Sequence, residues 1–310
     1  MRFNFVKLFL KIIFVHFLLI GSTTSKEKDS IKLDFNWPIP SSAQIIEIHK
    51  SKFYQKEGVK FQYDIDLKNT EEGIQISQYD IKMISVDGDK SHQNLLDPSM
   101  LFSGALFPNI ITSKSGEPLR ALEYESYLAN NSSDSNISSY LSQPQVEMML
   151  TRTAFQTWCK WVCEWIGLDI PKNSTLKQTY QGQLYGIELP EEWIISVADI
   201  MIKEKKLIKV SINRSINTNG DKDLVKHVMA SMLRSLGQDV NDKQLEKHIV
   251  NRDFIQNIKT VAILEKISNK PKHISTQIEL LTLESTPNLG ERITSSAFSE
   301  NYEYIFSWQK

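Results

Sequence analysis

The chain of 310 residues is 41% hydrophobic and 24% charged, with 12 glycines, 10 prolines and 2 cysteines. That balance excludes a disordered tail, a collagen-like repeat, a disulfide-dense mini-protein and a polytopic membrane protein. Its 36 basic and 37 acidic residues give a formal charge of -1, so no overall field gathers nucleic acid, which is not an expected partner.

Residues 1–25 read as a signal peptide. Arg2, Lys7 and Lys11 precede the uncharged run Ile12 to Ile20, and Gly21-Ser22-Thr23-Thr24-Ser25 follows as a small polar cleavage region. The run is shorter than the roughly 20 apolar residues of a spanning helix. An uncleaved anchor or a buried N-terminal helix is the alternative. Leu19-Ile20-Gly21-Ser22 resembles the processing box of bacterial lipoproteins, with serine where the lipidated cysteine would stand. A periplasmic or secreted product is expected, with no transmembrane segment after signal removal. It would carry 33 basic and 37 acidic residues, a charge of -4. No long Pro/Gly/Ser linker divides residues 26–310, which read as a single β-rich domain.

Trp37-Pro38-Ile39-Pro40 leads into a strand around Ala43 to His49. Val59, Phe61, Tyr63, Ile65 and Leu67 alternate with polar residues, the period of a strand with one buried face. A second strand over Gly73 to Val86 changes face near Ser77-Gln78, where a bulge is expected, and Asp87-Gly88-Asp89 ends it. Pro108 to Ser113 and Pro118 to Glu123 form a hairpin. A helix is read over Gln143 to Gly167, with Phe155, Trp158, Trp161 and Trp165 on one broad apolar arc. Strands follow over Leu176 to Ile187, Trp193 to Ile202 and Leu207 to Ile216. Asp221 or Asp223 caps a second helix reaching about Leu236 and ended by Gly237. Ile258 to Ile267, His273 to Leu283 and Ile293 to Trp308 close the chain, the last tied into the sheet by Tyr302, Tyr304, Phe306 and Trp308.

Cys159 and Cys163 stand four apart on the aromatic helix. At that spacing Cβ atoms lie about 5 to 6 Å apart, beyond disulfide reach in a regular helix. The readings, in order, are two packed thiols, a strained disulfide and a metal or redox site. The histidines are scattered, and zinc-hydrolase, nucleophile-elbow and phosphate-loop motifs are missing, so no catalytic residue, metal or cofactor is assigned. Asp87/Asp89/Ser91 and Asn219/Asp221/Asp223 lack the glycine and glutamate of a calcium loop and read as turns and a cap. Asp64 and Asp66, which could suit a glycosidase, read as solvent-facing. Asn130, Asn131, Asn136, Asn173 and Asn213 begin glycosylation sequons.

Long alternating strands around a tryptophan-rich helix point to an α+β fold, a large curved antiparallel sheet or half-barrel with two main helices on its concave side. In layout this resembles the bacterial periplasmic half-barrel proteins, which include lipoprotein-localisation carriers. The resemblance implies an apolar concavity for a lipid or acyl chain. The leading expectation is a non-enzymatic exported protein that binds an apolar small molecule, lipid or lipidated partner, lined by Phe155, Trp158, Trp161 and Trp165. The alternative is an envelope structural or interaction protein with a solid core.

Overall fold

A computed structural model of the chain describes residues 29–51, 57–90, 109–122, 144–235, 245, 252–285 and 292–309. The signal read over 1–25, the sequons at Asn130, Asn131 and Asn136, and Gly237 lie outside them. Alternating segments form β2 (Ser41–Ser51), β3 (Val59–Asn69) and β4 (Ile74–Val86), after a short β1 (Ser30–Leu33). The short hairpin is β5 (Ile110–Thr112) with β6 (Pro118–Ala121). Next come α1 (Pro144–Trp158), a π-turn (Cys159–Cys163) and β7 (Leu168–Pro171). The second strand set is β8 (Thr175–Leu184), β9 (Ile187–Ile202) and β10 (Lys205–Asn217), then α2 (Lys222–Ser235). β11 (Arg252–Glu265), β12 (Pro271–Ser285) and β13 (Arg292–Trp308) complete it.

Eleven strands make one open, curved antiparallel sheet in the order β6-β5-β4-β3-β2-β13-β12-β11-β10-β9-β8. β1 and β7 pair separately and send Ile31, Leu33 and Ile170 into the larger of the two cores. Both helices pack on the same face of the sheet, called inner here, because β10 sends Ile212 to the cluster around α1 and Ile216 to that around α2. The larger cluster joins Ile45, Phe61, Tyr63, Ile65, Tyr304 and Phe306 to Trp158, Trp161 and Trp165. The smaller joins Leu189, Ile216, Phe254 and Leu280 to Val225 and Val228 of α2.

Three local expectations are corrected. Leu176 to Ile187 is two strands, because Tyr185 and Gly186 adopt left-handed φ values of 50° and 81° and turn the chain between β8 and β9. β4 departs from regular pairing twice, once between Met83 and Ser85 and once about two residues later than Ser77-Gln78. Gln78 stays buried in line with Ile74 and Ile76, and Asp80, at φ 53°, absorbs the extra length. The helix read to Gly167 widens after Trp158, where the Glu164 amide donates to the Cys159 carbonyl at 3.1 Å, the five-residue reach of a π-turn. The acidic turns are plain ones. Asp87 accepts the amides of Glu57 and Gly58, while Asp221 caps α2 by accepting those of Asp223 and Leu224 at 3.0 and 3.1 Å.

Candidate functional site

Antiparallel register lines up one row of side chains across the inner face, running Trp193, Arg214, Ile258, Ile278 and Glu300 over β9, β10, β11, β12 and β13. Directly paired residues share a face, so these five point toward the helices. The neighbouring row toward α1 is Ile195, Ile212, Thr260, Thr276 and Tyr302, in which all but Tyr302 are buried. On the other side Ile216 and Leu280 enter the α2 cluster. Ile258 and Ile278 belong to neither cluster and are only half-buried. A strip of inner face with an apolar centre and charged ends therefore separates the two cores.

Arg214 anchors one end. Its Nε donates to Glu191 Oε1 at 2.9 Å and its Nη1 to Glu164 Oε1 at 3.0 Å, while the guanidinium lies 4.6 Å over the Trp193 ring. Trp193 Nε1 donates to Glu191 Oε2 at 2.9 Å. Burial opposes the Arg214 charge, but Glu164 and Glu191 outweigh it and hold its pKa above the usual value. Because Glu164 follows the π-turn, this contact fixes the end of α1 against β9 and β10.

At the other end, burial raises the Glu300 pKa, but hydrogen bonds from His49 and Tyr302 outweigh it and leave the carboxyl below its usual range. Tyr302 donates to Glu300 Oε2 at 2.7 Å and stacks on His49 with ring centroids 4.4 Å apart. Lys160 of the π-turn sits 3.8 Å above the Tyr302 ring. Burial lowers its pKa against the opposing pull of Glu47, Glu164 and Glu300. Deeper in, Glu47 is fully buried and accepts the Tyr63 hydroxyl at 2.9 Å. Burial pushes its carboxyl up to about 7 despite that hydrogen bond and the charge of Lys160.

Of the residues singled out by sequence, Trp158, Trp161 and Trp165 are at most 1% exposed, and Phe155 is half-buried against the same cluster. Trp158 meets Trp37 edge-on at 5.7 Å and donates to the Gly116 carbonyl at 2.7 Å. Trp161 packs edge-on against Tyr304 at 5.6 Å and Phe306 at 5.3 Å. These tryptophans fill the larger core, and the half-buried isoleucines outside both cores lie elsewhere on the sheet, at Ile258 and Ile278. The charged groups of the inner face had a sequence signal. Glu47 and His49 keep the parity of Ala43 and Ile45, and Arg214 that of Val210, Ile212 and Ile216, so charged groups stand where apolar ones are due.

The opposite face carries a recess of about 290 Å³ bordered by Glu192, Ile194, Asn213, Asn257, Lys259 and Glu279. Among the described residues no group of three or more His, Cys, Asp or Glu could hold a metal ion. Nor is any helix among them long and apolar enough to cross a membrane.

No family model matches the chain, and no curated protein matches it. Among solved structures, one of lipovitellin, described by its lipid–protein interactions, aligns with 87% of this chain at 10% identity and a TM-score of 0.34. The chain spans 25% of the length of that lipovitellin chain.

Proposed function

We propose that the protein is an exported, non-enzymatic binding protein that takes a lipid or other apolar-bodied ligand between sheet and helices. The observation that carries this reading is the half-buried pair Ile258 and Ile278, facing each other in register between two separate cores and belonging to neither. Apolar floors with a few polar groups at their ends suit amphiphilic ligands, which gain from burial of the chain and orientation of the head. Here Trp193 and Arg214 bound one end, and Tyr302, Glu300 and Lys160 the other. Of Phe155, Trp158, Trp161 and Trp165, Phe155 alone is not enclosed in the larger core.

The test is native mass spectrometry with lipid extraction of the purified full chain, followed by titration with a conjugated polyene fatty acid that accepts energy from tryptophan. Bound lipid, or saturable energy transfer lost about tenfold in affinity in I258N and I278N, is expected. Absence of both would overturn the reading. The tight packing of Trp158, Trp161 and Trp165 favours a second reading, an envelope scaffold or interaction protein with a solid core, which that negative result would leave standing.

A further inference from the structure

Residues four apart on a regular α-helix hold their Cβ atoms about 5 to 6 Å apart, whereas a disulfide requires about 3.5 to 4.5 Å. The segment holding this chain's two cysteines is not regular. Between Cys159 and Cys163 the helix widens into its π-turn, and the sulfurs approach to 2.6 Å. Two thiols that near have already made most of the approach to a covalent S–S length of about 2.05 Å. Both are half-buried, so a small oxidant can reach them. No other cysteine exists in the chain to compete for either.

We propose that Cys159 and Cys163 form a dithiol that oxidises to a disulfide closing the π-turn, with a partner disulfide, of glutathione or of a dithiol oxidoreductase, as the oxidant. The Cys159 thiolate attacks the oxidant's S–S bond and releases one partner thiol, leaving a mixed disulfide. Cys163 then loses its proton to solvent, and its sulfur displaces the second partner thiol as the Cys159–Cys163 bond forms. One disulfide is reduced as another is made, and two protons pass to the partner sulfurs. The order follows from environment, since contact with Cys159 and then burial hold the Cys163 thiol well above its usual range. The closed loop would enclose Lys160, Trp161 and Val162, and Glu164 follows it at once. Oxidation therefore fixes the segment that sets Lys160 over Tyr302 and Glu164 on Arg214. It depends on the π-turn alone, independently of any ligand.

Trypsin gives an unambiguous reading because Lys160 lies between the cysteines. The folded full chain is incubated with oxidised glutathione, quenched, alkylated in denaturant and digested. The expected product is a linked pair, Thr153–Lys160 joined to Trp161–Lys172, lighter by two hydrogens than the sum of its reduced peptides. In C163S, which lacks the resolving sulfur, glutathione should instead remain on Cys159. Wild-type chains with both cysteines alkylated, with glutathione on either, or with bridges between chains would overturn the proposal. That readout stands whether or not C163S folds.

Discussion

Glu47 occupies a core position of β2, fully buried with Tyr63 as its hydrogen-bond donor. Lys160, Tyr302 and Tyr304 are the other titratable groups that its charge reaches. The carboxyl titrates near 7 when folded and near its ordinary 4.5 when unfolded. Between those values the native state binds the additional proton, so stability falls as pH rises. The contribution is complete below about pH 4.5 and lost above about pH 7, a loss on the order of 3 kcal/mol. E47Q keeps an acceptor for Tyr63 and removes the titration. It should match wild type near pH 5 and melt higher at pH 8, as read by thermal unfolding across that range. Arg214 presents the opposite case of a buried charge that is fully paired. R214A strands Glu191 and Glu164, whose side chains are 4% and 9% exposed, and should cost about 3–5 kcal/mol in urea unfolding. Adding E191Q and E164Q should recover part of that loss. Full stability in R214A alone would show that water reaches these carboxylates.

Elements show where local sequence suffices. Asp221 ends a polar turn before an apolar stripe, and its side chain caps α2 as that pattern requires. D221A should lower stability by about 1 kcal/mol in urea titration, and D221N by much less, because asparagine still offers an oxygen to the same amides. The aromatic stripe from α1 through the π-turn was equally legible, since Trp158, Trp161 and Trp165 form one arc and are all buried. Its π-turn was not. An inserted residue in a helix leaves the apolar arc nearly intact, so periodicity reads through it, and only the backbone bond from Glu164 to Cys159 reveals the widening. The Tyr185-Gly186 turn hid for a related reason, as a tyrosine in left-handed conformation carries none of the usual turn chemistry. The inner row was half legible. Glu47 and Arg214 break the parity of their strands, but nothing local says that β10, β11, β12 and β13 bring Arg214, Ile258, Ile278 and Glu300 into line.

At the scale of the whole molecule, register across the sheet decides what the strands build. β2 to β6 form one run of neighbours and β8 to β12 another, and within each run nearly every pairing is local in sequence. β13 alone joins them, with Tyr304 opposite Glu47 on one side and Ile274 on the other. The alternation of Tyr302, Tyr304, Phe306 and Trp308 foretold a buried strand, but its place at the centre depends on contacts with residues more than 200 positions away. Loop closure of that length adds little free energy beyond a shorter loop, and among the described strands no other pairs with both runs. Without β13, β2 and β12 would become open edges with apolar inner faces, a template for association. A chain ending at residue 291 should therefore lose its cooperative unfolding transition and associate, as seen by calorimetry and light scattering. A synthetic peptide of residues 292–310 supplied during refolding should restore the transition by adding the missing strand between two edges. A truncated chain that melts as sharply as the full one would show that the two runs close on each other without β13, and the central placement of the last strand would then be incidental to stability.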